Sequence, residues 1–147
     1  MNKANENDRL GDELQELYII VNNWITDVYF IQDEINFLLY VLNKYPESNA
    51  SNGHVLTKYN FAKTLNEYNA DIPCLINEIR EYLKLLETPI NDPAKDININ
   101  LLEAFSSTDE RVQTLSAAVK SVKKQLFACT EQIMKTEKAL TKVKLNR

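Results

Sequence analysis

From residue 14 to residue 45 the apolar side chains Leu14, Leu17, Val21, Trp24, Val28, Ile31, Ile35, Leu38, Leu42 and Tyr45 follow one another in steps that alternate between three and four residues without a miss. A mean spacing of 3.5 residues places all of them on one stripe of an α-helix. Over five heptads that stripe keeps facing a neighbour only if the helices wrap gently left-handed around one another. A half-buried strand would instead need alternation of period two. The spacing therefore predicts a first helix over about 6–45, stopped by Pro46 and the polar, glycine-bearing tract that follows.

Two more stripes of the same period follow. Phe61, Leu65, Tyr68, Ile72, Leu75, Ile79, Tyr82 and Leu86 form the second, which crosses Pro73 without losing phase. Proline lacks the backbone donor and crowds the carbonyl four residues back. The helix over about 54–88 is thus expected to kink at Pro73, the alternative being a restart with Asp71 as N-cap. Thr88, Pro89 and the stretch 90–96 should then form the second connection. The third stripe runs through Leu101, Phe105, Thr108, Val112, Leu115, Val119, Val122, Leu126, Cys129, Ile133, Thr136, Leu140 and Val143. Ser107-Thr108-Asp109-Glu110 has the form of a capping box and could start a fresh helix. Unbroken phase favours a single helix over about 98–145.

Short connections make successive helices antiparallel. The expectation is one all-α domain over 1–147, an up-down-up bundle of three long helices with coiled-coil-like packing. Composition agrees: with only 2 glycines and 4 prolines, the chain cannot furnish the many tight turns of a sandwich or barrel.

Charge is unevenly distributed. The net charge of -4 gives no overall attraction to nucleic acid or anionic lipid. Residues 1–53 nonetheless carry about -6, with Lys3, Arg9 and Lys44 as their only bases, whereas residues 111–147 carry about +7, with Glu131 and Glu137 as their only acids. Opposite ends of one chain thus attract each other.

The residues that chemistry requires are sparse. The only histidine, His54, falls at the loop exit before the second helix, and the three stripes hold no Asp or Glu. The inward Glu and Glu-x-x-His sets of di-iron bundles are therefore missing, and no metal or other cofactor is expected. Cys74 and Cys129 stand alone, without a second thiol or histidine at ligand spacing, and read as reduced structural thiols. His54 has no cysteine nearby on its own helix to activate, and Gly11 and Gly53 are isolated, so neither nucleophilic catalysis nor a phosphate loop is expected. The chain reads as non-enzymatic. No apolar signal core or membrane-length run occurs, from which a cytoplasmic location and no membrane partner are expected; the sequon at Asn49 then reads as polar loop.

Two surfaces remain as candidates for binding. On the first helix Phe30 and Phe37 sit seven residues apart, further round than any stripe position, with Tyr29, Tyr40 and Val41 nearby. They are covered by the second connection, through Ile97, Ile99, Leu101 and Leu102, or they meet a second copy or another protein. On the third helix Lys120, Lys124, Lys135, Lys138 and Lys142 line the outer side. A solvated face is the plain explanation; a polyanion-binding face is the alternative. Trp24, mid-stripe, is expected to anchor the core.

The run Trp24-x-x-Asp27-x-x-Phe30-x-x-Asp33-Glu34-x-x-Phe37-Leu38 resembles small bacterial coiled-coil proteins in which Trp, Phe and Asp-Glu recur along a long first helix. The run covers 15 residues of the first helix. The resemblance implies a helical bundle and no particular activity. Spectrin repeats and syntaxin N-terminal domains are similar in architecture only. The expected function is a structural or protein–protein interaction module, self-associating through the first helix or binding another protein, with nucleic-acid binding along the lysine face as the alternative.

Overall fold

The computed structural model describes residues 2–44, 52–91 and 99–145; side-chain surroundings are described for 11–44, 57–87, 101–132 and 134, 135, 138, 139 and 142. Three helices account for these residues: α1 (Asn2–Asn43), α2 (Asn52–Asn91) and α3 (Ile99–Leu145). At about 1.5 Å per residue they are rods of roughly 60 to 70 Å. The helices start and stop within a few residues of the expected bounds. His54 lies in the first turn of α2 rather than in a loop, and α2 runs past Thr88 and Pro89, which had been expected to close it. The sequon, the tract after Pro46 and Ile97 lie outside the described residues, as do the side chains of Tyr45, His54, Ile133, Thr136, Leu140 and Val143.

Cross-helix pairs fix the directions. Asn36 lies opposite Asn69 and Tyr29 opposite Arg80, so α2 runs against α1. Glu78 meets Thr108, and Tyr82 meets Phe105, so α3 runs against α2. Trp24 meets Phe105 and Glu34 meets Lys123, which makes α3 parallel to α1. The bundle is therefore up-down-up, as short connections require.

The buried side chains fall where the heptads place them. If Leu14 is assigned position a, then Val21, Val28, Ile35 and Leu42 share that position and all five are buried. The d residues Trp24 and Leu38 are buried as well, whereas Leu17 and Ile31 are only half-buried beside them. On α2 the buried set is Leu65, Ile72, Leu75, Ile76, Ile79, Tyr82, Leu83 and Leu86, and on α3 it is Val112, Val119, Val122 and Leu126. All belong to one continuous cluster. The ring of Trp24 packs on Phe105 at 5.0 Å between centroids, and Phe105 meets Tyr82 at 6.4 Å, so each helix contributes one aromatic ring to the same layer.

Polar groups refine this packing. Thr108, the one buried polar side chain among the described residues, donates from Oγ1 to Glu78 Oε1 at 3.3 Å; the other oxygen of Glu78 pairs with Arg111. Asn69 Nδ2 donates to Asn36 Oδ1 at 3.0 Å across α1 and α2. Neither pair slides by a turn without losing its partner, so both hold the helices in register. The capping-box sequence starts no new helix: Ser107 to Glu110 lie inside α3, with Thr108 pointing to α2 instead of to its own backbone.

α2 also continues unbroken through Pro73, so the restart at Asp71 does not occur. Pro73 is exposed and off the apolar stripe. Its cost is the donor withheld from the Asn69 carbonyl.

Two stability predictions follow from this packing. Trp24→Ala and Leu126→Ala should each lose about 2 to 5 kcal/mol in denaturant unfolding, because both side chains are buried among three helices; a loss below about 1 kcal/mol would show that those layers are not packed. Pro73→Ala should leave stability unchanged or raise it by up to about 3 kcal/mol, since it restores a helical hydrogen bond at an exposed position. A clear loss would show that the proline holds a shape the bundle needs.

Candidate interaction surface

Among the described residues no side chain covers Phe30 or Phe37, and Ile97 of the second connection lies outside them. Phe30 is 67% exposed and Phe37 52% exposed. Leu101 instead packs against the core, its carbonyl taking the Tyr82 hydroxyl at 2.8 Å, and Leu102 points outward. Leu101 lies in the layer of Tyr82 and Phe105, which is the Trp24 layer of α1, so its reach along the bundle falls short of Phe37.

Phe30 and Phe37 occupy the c positions of α1, next to the g position of Glu34, one turn from each. Glu34 Oε1 lies 2.7 Å from Lys123 Nζ, so this flank of α1 borders α3. Lys123 also stands over the ring of Phe127, 5.9 Å from its centroid. Phe127 is 41% exposed. It lies four residues beyond Lys123, on the flank of α3 that borders α1. An exposed aromatic strip thus bridges two helices, around a partly shielded ion pair.

The other members of the sequence-derived patch lie elsewhere. Tyr29 faces the opposite flank, where its hydroxyl accepts from Arg80 Nη2 of α2 at 3.2 Å. Val41 is half-buried against the core, which removes it from the surface patch. Tyr40 is exposed at the outer end of α1, its ring under Lys44 Nζ at 4.7 Å. Phe30, Phe37 and Tyr40 are therefore the exposed aromatic rings of this face of α1, and Phe127 is the member that sequence reasoning missed. Its signal was weak: it directly follows a stripe residue, Leu126, and one aromatic residue outside a stripe has no periodicity of its own.

On α3, Lys120, Lys124, Lys135, Lys138 and Lys142 are all exposed. Lys135 pairs with Glu131 at 3.3 Å along the helix. Lys120 lies one heptad before Phe127 and Met134 one heptad after it, so basic and apolar side chains share one column bordering α1. Met134 is exposed too. Ile19, Ile20 and Leu85 are further exposed apolar residues, apart from this strip.

No group of three His, Cys, Asp or Glu side chains is placed to hold a metal among the described residues. Cys74 is exposed and Cys129 half-buried, both as free thiols. A cleft of about 360 Å³ opens between α2 and α3, lined among others by Tyr68, Asp71, Leu75, Arg111 and Leu115, but the guanidinium of Arg111 is already engaged by Glu78. Among the described residues no helix is long and apolar enough to cross a membrane. Compared with protein-family models, with curated proteins and with solved structures, the chain matches none of them.

Burial pushes the Tyr82 hydroxyl up from 10.0 to about 12. Only its neutral form keeps the bond to the Leu101 carbonyl in the aromatic layer. In the unfolded chain the phenol loses its proton near pH 10, while the folded protein holds it to about pH 12. Stability from this group is thus complete below pH 10 and falls as pH rises through that window. Tyr82→Phe should cost about 0.5 to 1.5 kcal/mol at neutral pH. It should also flatten the alkaline decline in urea unfolding between pH 10 and 12; an unchanged decline would place its origin in other groups.

Proposed function

We propose that this chain is a non-enzymatic protein–protein interaction module of the cytoplasm, and that the aromatic strip on α1 and α3 is its binding surface. The exposure of Phe30 and Phe37 carries the reading. Two phenylalanine rings one heptad apart and more than half accessible, with the exposed ring of Phe127 on the adjoining flank of α3, form an apolar strip, and such strips mark places that meet another macromolecule. The rigid backbone beneath them supports it: α1 at this level is pinned by buried Val28, Ile35 and Leu38, so binding would demand little reordering of the chain. The absence of Asp, Glu and His from the apolar stripes supports the non-enzymatic part.

A second reading is polyanion binding along α3. One observation favours it: Lys120 and Lys124 are exposed beside the accessible ring of Phe127, and a basic face with an aromatic platform suits single-stranded nucleic acid. It predicts binding that weakens steeply with salt. The acidic side chains Asp27 and Asp33 on the adjoining face of α1 count against it, because they repel a polyanion laid across the strip.

The test compares the parent chain with Phe30→Ser/Phe37→Ser, each immobilised and exposed to a cell extract supplemented with a tagged second copy of the chain and, separately, to labelled single-stranded DNA at low salt. Both substitutions lie outside the core, so helicity and thermal midpoint should be preserved. The expected result is a protein, the second copy or another, held by the parent and lost from the variant, with DNA held by neither. Identical retention by parent and variant would overturn the interaction-surface reading. DNA capture that fails when Lys120 and Lys124 are neutralised would replace it by the second reading.

A further inference from the structure

We infer that α3 docks in two unequal parts, an anchored start over residues 101–112 and a latched stretch over 115–126 that opens on its own. The boundary lies between Val112 and Leu115, and opening uncovers the apolar face of an α1–α2 hairpin that stays closed.

The hairpin is packed along its length. Among the described residues both helices bury an apolar side chain in every heptad, α1 from Leu14 to Leu42 and α2 from Leu65 to Leu86. Two hydrogen bonds cross between them at separate levels, Asn69 to Asn36 and Arg80 to Tyr29. Neither helix depends on α3 alone for its position.

The start of α3 is held by several kinds of contact within about three turns. The Phe105 ring lies against both Trp24 and Tyr82. The Leu101 carbonyl accepts from the Tyr82 hydroxyl at 2.8 Å. Thr108 and Arg111 each engage Glu78. A ring, a carbonyl, a hydroxyl and a guanidinium thus fix this part to its neighbours.

Beyond Val112 the contacts thin out. The stretch buries Val119, Val122 and Leu126, and Leu115 is only half-buried. Beside it opens the cleft of about 360 Å³, bordered by Tyr68 and Leu75 of α2 and by Leu115 and Ala118 of α3. Side chains along such a gap have no partner atoms on one side and forfeit their dispersion contacts. The polar tie of this stretch is Lys123 to Glu34, with side chains 41% and 36% exposed, and a pair so exposed contributes little.

Regions with few buried apolar contacts open before the rest of a protein does. Leu115, Val119, Val122 and Leu126 lie on one stripe of one rod, so lifting one lifts the others. An undocked stretch also loses its backbone hydrogen bonds, because most helical stability in a protein comes from tertiary packing. Around Glu34 and Tyr68, the hairpin beneath this stretch buries Ile35, Leu38, Leu65 and Ile72. Opening therefore bares an apolar groove that the chain's own α3 otherwise fills. Salt favours opening, since it screens the attraction of Lys123 for Glu34.

The test is residue-resolved hydrogen exchange of the full chain at low and high salt. Amides of 115–126 should exchange at one common protection level, at least tenfold less protected than those of 103–111 and of the buried stretches of α1 and α2; the first four amides of α3 are left out because they lack intrahelical partners. Lys123→Gln, a substitution at an exposed position, should raise exchange of 115–126 by up to about fivefold at low salt and leave 103–111 unchanged. The variant should also respond less to salt. Equal protection across α3 overturns the inference, as does exchange of 103–111 together with 115–126. A smooth rise in exchange toward the end of α3 is fraying and overturns the separate unit. Indifference of 115–126 to both salt and Lys123→Gln overturns the latch.

Discussion

The structure depends on α2 finding cover on two sides at once. Its buried residues occupy three heptad positions rather than two: Ile72, Ile79 and Leu86 in one column, Leu75 and Tyr82 in a second, Ile76 and Leu83 in a third. An apolar arc that wide cannot be hidden by a single antiparallel neighbour, because a two-helix seam covers only the a and d columns. α1 takes the flank of Ile76 and Leu83, where Asn69 meets Asn36, and α3 takes the flank of Glu78. The contact between α1 and α3 follows from this arrangement, because two helices packed on adjoining sides of a third necessarily touch.

That third contact is the thinnest of the three, which explains where the exposed rings lie. Near Trp24 the gap between α1 and α3 is filled by Phe105. Further along, α3 contributes valines, Val112, Val119 and Val122, which bury fully but reach less far. The outer groove at that level is closed by the ion pair of Glu34 and Lys123 rather than by apolar side chains. A charged pair at half exposure contributes about 0 to 1 kcal/mol, so it specifies how α1 and α3 align more than it stabilises them. The rings of Phe30, Phe37 and Phe127 border that pair and find no third helix to pack beneath.

What could be read from residues alone separates cleanly by physical cause. Radial position on a helix is a local property of spacing, so the stripes, the burial of Trp24, the passage of the helix through Pro73 and the outward position of Phe30 and Phe37 were all legible. Which flank of α1 faces which neighbour was not. An up-down-up bundle can turn to either hand, and the two hands exchange the neighbours of the e and g flanks while leaving every stripe intact. Here Glu34, on the g side, meets α3, and Asn36, on the other side, meets α2. Tyr29 and Phe30, adjacent in sequence, are therefore separated by that choice: one reaches Arg80 of α2, the other borders α3. For the same reason Phe127 could not be joined to the patch beforehand. Val41 was misplaced by a different effect, since a g residue near the bundle's edge can tuck in against the core when no longer side chain competes for the space.

The polarity of charge along the chain seats a basic α3 against acidic helices through Lys123 to Glu34 and Arg111 to Glu78, one pair for each neighbour. Neither pair exhausts the charge on its helix: Asp27 and Asp33 remain exposed on α1, and Lys120 and Lys124 on α3. Both signs also occur along α3, where Asp109 and Glu110 precede Lys120, Lys123 and Lys124, so its basic character is concentrated in the part that meets Glu34. The two cross-helix ion pairs therefore act on different stretches of α3, Arg111 aligning it with α2 and Lys123 aligning it with α1.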